Sequence, residues 1–445
     1  MRGTEPAAID LTLRHWRVEM GHHRGARRYF WPFAWAADFI GKPHPPGRTM
    51  QDDSESQIKL RYGLNPQQGG ARLIARSGVC PVAVLCGSPS SINVLDALKG
   101  WQLVRELKRR FGKPAAASYK HANPAGAGLG ADALDEGYRR AHFLRDWALS
   151  PLAIAYLRAR HADGISSYGD FVALSDVVDI ETALILKSVA SDGVIAPGFA
   201  PDAFAALQGK RNGKFVVLTI DPTYEPEGPD IRSEFGLTLI QERDMSEVVS
   251  PGTERIVTAN ITLSKTVSET LLMALIVARH TQSNAVVISA DGCTVGIGAG
   301  QQSRIAATRI ACEKAEIYLL LDHPKVAGLD FKPASRRIER INAVDQFLRF
   351  DSLSEREQAS FAAQLDSDFT PLTQSERIAW IQSKRPLCAA SDAFIPFADN
   401  IDRMAQAGVT HVMQTGGSIR DQDVTAAADL HGMVMLHTGR RYFLH

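Results

Sequence analysis

No apolar run in this 445-residue chain approaches the roughly 20 residues that cross a bilayer. The opening MRGTEP, Met1 to Pro6, also lacks the apolar stretch of a secretory leader. Both absences lead to the expectation of a cytoplasmic protein with no membrane partner. Neither sign of charge dominates. The 50 lysines and arginines face 49 aspartates and glutamates, so nucleic acid is not expected as a main partner, although a local basic pocket is compatible with the balance. The five cysteines, Cys80, Cys86, Cys293, Cys312 and Cys388, form no C-x-x-C pair, which argues for reduced thiols and against a disulfide framework. The thirteen histidines include neither H-x-E nor H-E-x-x-H. The ligand set of a zinc hydrolase or zinc deaminase is therefore missing, and no metal site is expected. The adjacent His22 and His23 read as an exposed, solvated pair before they read as ligands.

With 45% hydrophobic and 22% charged residues, the composition is that of a globular chain long enough for about two or three domains. The first fifty residues differ from the rest. They hold Trp16, Trp31 and Trp35 beside the basic RGARR at Arg24 to Arg28, and they fit neither strand-helix alternation nor an amphipathic helix. Residues 1–50 are set apart as an extension, either poorly ordered or the product of a start assigned too early, and 51–445 as the main domain. From Ile58 short runs such as VAVL (Val82 to Leu85), FVVLTI (Phe215 to Ile220) and AVVI (Ala285 to Ile288) read as buried strands, being β-branched-rich and bounded by turn residues. Helical stretches alternate with them. Asn93 to Leu107 is expected to place Leu95, Leu98, Leu103 and Leu107 near one face, and Ser303 to Ala315 is a second helix. The mixture is α/β. The acidic, proline-rich DPTYEPEGPD, Asp221 to Asp230, reads as a crossover connection. A boundary near 250–265 divides subdomains of roughly 58–255 and 265–445, and no short-period repeat is evident.

Five stretches carry chemistry. In SYKHANPAGAGLG, Ser118 to Gly130, strand neighbours point to opposite faces, so Lys120 and His121 serve one site only if regular geometry ends there. Asn123 and Pro124 are expected to supply that break. Gly126, Gly128 and Gly130 would let the backbone approach a ligand closely. The lysine favours a neutral imidazole able to accept a proton. A polar end to a buried strand is the plain alternative. GIGAGQQSR, Gly296 to Arg304, is not a dinucleotide fingerprint, because its third glycine comes one position early. It ends a strand and opens a helix, where N–H groups, Gln301 and Arg304 suit an anion; a tight turn is the alternative. SDAFIPFADN, Ser391 to Asn400, sets two phenylalanines around a proline between acids, which suits a flat heteroaromatic ligand or a packed turn. TQSN, Thr281 to Asn284, follows a helix and precedes a strand, so Asn284 is either a structural group or a ligand donor. The tail GRRYFLH, from Gly439, either docks and presents Arg441 to a phosphate or frays.

In this order, LRYGLNP from Leu60, SYKHANPAG, SYGDFVALSD from Ser167, DGVIAPG from Asp192, TQSN, the glycine cluster through Arg309, SDAFIPF and the tail resemble the transformylase part of the bifunctional purine-biosynthesis proteins, from about residue 58 to 445. That family transfers the formyl group of 10-formyltetrahydrofolate to the 5-amino group of AICAR. The resemblance implies two zinc-free, cytidine-deaminase-like subdomains in an intertwined homodimer with sites between subunits. It implies His121 as general base, Lys120 as its partner on the oxyanion and Asn284 as the side chain orienting the carboxamide or amine. Arg61, Tyr62, Gly198, Asp221 and Arg441 match nucleotide-binding positions. Arg304, Phe394, Phe397, Asp399, Ser418 and Ile419 match positions lining the folate pocket.

The departures carry expectations of their own. About fifty unrelated residues stand where the bifunctional members have a cyclohydrolase domain, so no ring closure is expected from this chain. Ala122 replaces the usual valine and Leu444 takes a place often polar, which leaves open the monovalent-cation site that some relatives carry near Thr281, Ser283 and Asp392. A formyltransferase acting on another aminoimidazole or aminopyrazole ribotide, and a noncatalytic nucleotide- or folate-binding regulator, are the alternatives. Lys120 and His121 weigh against the regulator, which needs no base.

Overall fold

One sheet of eleven strands runs through the chain. The structure is a computed structural model describing residues 57–445 apart from 77, 145–147 and 385; the extension at 1–50, with His22 and His23, lies outside the described residues. Numbering only the strands of this sheet, they are β1 (Val82–Cys86), β2 (Ala115–Lys120), β3 (Asn123–Leu129), β4 (Asp170–Leu174), β5 (Ser191–Ala196), β6 (Val216–Ile220), β7 (Val286–Ala290), β8 (Cys293–Gly298), β9 (Leu387–Ser391), β10 (Val409–Gln414) and β11 (Val434–His437). Their spatial order is β11-β10-β9-β7-β8-β3-β2-β4-β5-β6-β1. The same arrangement occurs twice: a hairpin, a strand antiparallel to the first member of that hairpin, then two strands parallel to the third. The two halves meet where β3 and β8 run antiparallel, Gly128 opposite Cys293.

Because strand side chains alternate, the sheet is buried on both faces. On one face Ala115, Ala117 and Tyr119 of β2 pack with α1 (Ser91–Phe111) and α3 (Lys265–Arg279), so a single core crosses from one half to the other. On the other face Ala116 packs with α2 (Pro151–His161), and Val286 and Ile288 pack with α4 (Arg304–Leu320). This is an α/β fold in three layers.

The helices follow local signals. Ser90 caps α1 by accepting from the Asn93 N–H at 3.4 Å, and Gly112 ends it at φ 65°. The buried arc of α1 holds Val94, Ala97, Trp101, Leu103, Val104 and Leu107. Leu95 is 40% exposed, contrary to the expected leucine face, because at about 100° per residue it falls opposite the centre of that arc. VAVL is an outer strand of the sheet rather than a buried one, with Leu85 exposed. Gly126, Gly128 and Gly130 answer a packing need, not a ligand: a Cβ on them would strike the Ala159, Ala155 and Pro151 carbonyls of α2. Gly296 and Gly298 stand in the same relation to α4.

Strand direction defines two rims. At the upper rim β2 ends, β3 and β7 begin, and β9, β10 and β11 end; at the lower rim β4, β5 and β6 end. The segment Asp221–Asp230 is no crossover between sheet strands. It passes along α1, where Arg105 donates to the Tyr224 carbonyl at 2.9 Å, and leads into a separate hairpin, Asp230–Glu234 with Leu237–Gln241.

Candidate functional site

The break in geometry at Lys120 comes from a turn one step earlier than Asn123-Pro124. Lys120 pairs with Asn123, and His121 and Ala122 form the two-residue connection between β2 and β3 at φ 55° and 59°. Asn123 and Pro124 belong to β3. Two positive φ values in a tight hairpin suit Asn-Gly or Asp-Gly, and the other half of the sheet uses that solution, Asp291 at 45° and Gly292 at 75° between β7 and β8. A histidine and an alanine in this conformation cost about 1–3 kcal/mol each. The turn leaves His121 exposed at the upper rim, and the Lys120 ammonium is held by the Tyr168 carbonyl at 2.7 Å. Beneath it the buried Asp96 of α1 accepts from the Ala122 N–H at 2.5 Å. Burial pushes the Asp96 carboxyl up to about 6 against the pull of that N–H and of His121. A hydrogen bond to a carboxylate contributes about 1.5–3 kcal/mol, comparable with the strain of one of the turn's two residues.

The TQSN loop of the second half meets this turn. The Asn123 side-chain oxygen accepts from the Gln282 N–H at 2.9 Å, while its amide nitrogen lies 3.4 Å from the Gln282 side-chain oxygen. Two residues on, Asn284 donates to the Gln301 carbonyl at 2.8 Å and accepts from Arg304 at 2.7 Å. Arg304 is buried, and its guanidinium also bonds the Ala285 carbonyl at 2.9 Å and the carboxylate of Asp392. Ser283 occupies the other Asp392 oxygen at 2.5 Å. Arg304 thus presents Asn284 rather than a free cation. Its bonds to Asn284, Ala285 and Asp392 commit both terminal guanidinium nitrogens of a turn that looked ready for an anion, and its Nε is buried without a hydrogen-bond partner.

The tail docks at the same rim. Tyr442 donates its N–H to the Asp392 carbonyl at 2.8 Å, and Leu444 and Ser283 exchange backbone and side-chain bonds at 2.9 and 3.0 Å. Between these anchors Arg441 stays exposed, its guanidinium 4.6 Å from the centre of the Phe443 ring. An apolar shelf lies beyond the ends of β9 and β10: Phe394, Phe397 and Ile419 are exposed, and Arg420 stacks over Phe397 at 5.2 Å. Asp399 opens the helix Asp399–Gln406 and Ser418 sits in the turn closed by Asp421. Arg61 and Tyr62 are tied to the start of α1, also at the upper rim, by the Pro89 and Ser91 backbones, and Arg61 donates to the Tyr62 hydroxyl at 2.9 Å.

Gly198 and Asp221 are not brought to His121. They follow β5 and β6 at the lower rim, a strand length of roughly 17 Å away. There Asp221 accepts from Thr223 at 2.8 and 2.6 Å, bonds that hold its carboxyl below the usual range. Sequence reasoning missed Asp96 and the contact between Asn123 and Gln282. A signal existed for Asp96, a charged residue on the apolar arc of an amphipathic helix. Asn123 and Gln282 are 159 residues apart and carry no such mark.

Among the described residues no group of three or more histidines, cysteines or acids is placed to hold a metal, and no helix is long and apolar enough to cross a membrane.

This architecture and site define an α/β protein with a charged, strained turn and an aromatic shelf at the same rim of one sheet. The model of the AICARFT/IMPCHase bienzyme family matches residues 34–314. The bifunctional purine biosynthesis protein PurH of Roseobacter denitrificans is 34% identical over 417 residues, which cover 92% of this chain and 63% of that protein. The PurH proteins of Rhodospirillum rubrum and Cereibacter sphaeroides are 31% and 33% identical, each covering 87% of this chain and 59% of the relative. The chain belongs to the AICARFT/IMPCHase bienzyme family, and it spans about six tenths of the length of these curated relatives.

Proposed function

We propose that the chain is an AICAR formyltransferase of purine biosynthesis, transferring the formyl group of 10-formyltetrahydrofolate to the 5-amino group of AICAR. The observation that carries this reading is the junction at the upper rim: the Lys120-His121 turn of one half and the Asn284 loop of the other, joined through Asn123 and Gln282. An amine conjugated to an imidazole carboxamide is a poor nucleophile, so proton removal has to accompany attack. Asn284 orients the acceptor, the amine nitrogen bonds to the formyl carbon, and His121 takes the proton released. Lys120 stabilises the tetrahedral oxyanion. Collapse breaks the bond to folate N10, which recovers a proton and leaves as tetrahydrofolate. Phe394, Phe397 and Ile419 supply a flat apolar surface for the folate ring, with Arg304, Asp399 and Ser418 beside it. Arg61, Tyr62 and Arg441 are the nucleotide side.

A monovalent cation does not fit Thr281, Ser283 and Asp392. The Asp392 carboxylate is already neutralised by Arg304, and the Thr281 hydroxyl donates to the Val277 carbonyl at 2.7 Å. No step passes through it. Gly198 and Asp221 at the lower rim are read as groups offered to the site of a second copy, in a cytoplasmic homodimer of cytidine-deaminase-like, zinc-free halves. Ring closure to inosinate is not part of this reading.

The test is a steady-state assay of the purified chain with both substrates, following tetrahydrofolate and identifying the nucleotide by mass. Formyl-AICAR without inosinate is the expected product. Binding of both ligands without turnover would replace this reading with a different ribotide acceptor or a regulatory role.

A further inference from the structure

The buried arc of α1, lined by Val94, Ala97, Trp101 and Val104, carries a carboxylate at Asp96, 6% exposed. Burying a carboxylate is costly, and a position needing only to be filled is better served by an apolar side chain. The carboxylate is committed to the Ala122 N–H at 2.5 Å. Tyr119, on the neighbouring strand, gives its hydroxyl instead to the His280 carbonyl at 3.2 Å. The Ala122 N–H can reach Asp96 because His121 and Ala122 are both left-handed, at φ 55° and 59°. In a relaxed hairpin of another turn type that N–H would point elsewhere. The comparable turn of the second half uses Asp291-Gly292, residues that adopt the conformation readily. The first half places there a pair that resists it, and a buried carboxylate receives the N–H that this conformation exposes.

We infer that Asp96 is a positioning residue for His121: its carboxylate holds the Ala122 N–H, keeps the His121-Ala122 pair left-handed, and so aims the imidazole into the upper rim beside Lys120 and Asn284. The role in turnover rests on the transferase reading; the anchoring of the turn does not. Asp96 is buried beneath the turn and bonded to its backbone, so it is expected to act on the rate of the chemical step rather than on binding.

The experiment compares the wild type with Asp96→Ala, which removes the acceptor, and Asp96→Asn, which keeps a side-chain carbonyl to accept the same N–H. Misplacing a catalytic group by about 1 Å costs up to about 100-fold. In Asp96→Ala, kcat is expected to fall about 10- to 100-fold with KM for AICAR and for 10-formyltetrahydrofolate within about 2-fold, while Asp96→Asn recovers most of the loss. Amide hydrogen exchange is read in parallel. Ala122, on an exposed turn, should be protected in the wild type and in Asp96→Asn and unprotected in Asp96→Ala. Should Asp96→Ala not fold, the wild-type exchange and the Asp96→Asn kinetics still decide. Wild-type kcat in Asp96→Ala, an unprotected Ala122 in the wild type, or Asp96→Asn as slow as a His121→Ala variant overturns the inference. Failure of the transferase reading shows separately, as a wild-type protein that does not consume AICAR while Ala122 remains protected.

Discussion

Asn123 and Gln282 hold each other across the junction of the two halves, the side-chain oxygen of one on the backbone N–H of the other at 2.9 Å. Asn123 follows Ala122 directly and Gln282 stands two residues before Asn284, so this pair sets how far the proposed base lies from the proposed orienting amide. Asn123→Ala removes both contacts and leaves the Gln282 N–H without its acceptor. The expected result is a loss of about 1–2 kcal/mol of stability in urea with a drop in kcat of about 10-fold.

Arg304 and Asp392 are both buried, and the same guanidinium holds Asn284. Arg304→Met leaves the Asp392 carboxylate with the Ser283 hydroxyl as its remaining side-chain partner. Removing one member of a buried pair costs about 3–5 kcal/mol, and that loss should appear in the urea midpoint. Arg304→Lys keeps the charge but loses the fork that spans Asn284 and Asp392; it should be more stable than Arg304→Met and still slow.

Acid should destabilise the fold through His142 and His161, whose rings stack at 4.2 Å. Burial drives His142 down to about 3, and the Arg337 guanidinium adds to that; burial first, then His142 and the arginines, drives His161 well below its ordinary value. Both are neutral when folded and take a proton near pH 6.5 when unfolded. The unfolded state therefore binds more protons below that pH. Stability is complete above about pH 6.5 and falls as pH drops toward 3, by up to about 1.4 kcal/mol per pH unit for each ring. Thermal unfolding between pH 7 and 4 tests this, and His142→Phe, which keeps an aromatic ring at the stack, should flatten the slope.

If two copies share sites, inactive variants rescue one another. His121→Ala should lower turnover about 100- to 10,000-fold while substrate binding survives, and Asp221→Ala should weaken nucleotide binding. A mixed dimer has one site with both residues intact and one with neither. Random exchange of equal amounts should restore about a quarter of wild-type activity. No recovery after confirmed subunit exchange would overturn the reading that Asp221 is offered to the site of a second copy.

The residues proposed to carry the chemistry stand out in the local sequence. Lys120-His121, TQSN, the phenylalanine pair around Pro396 and the basic tail are legible because residue type alone decides what they can donate, accept or stack upon. The α/β alternation is legible for the same local reason, since strand and helix periods differ. Tertiary structure decided what these groups do together. Asn123-Pro124 looked like the break because proline acts through its own backbone; the actual turn at His121-Ala122 is imposed by the β2–β3 register, which burial on both faces of the sheet fixes. The glycines after it looked available to a ligand until α2 filled the space. Asp96 under the turn, Asn123 on Gln282, and the separation of Gly198 and Asp221 from His121 follow from strand direction and packing between residues far apart in the chain. No local propensity records such contacts, because each exists only when both partners are already in place.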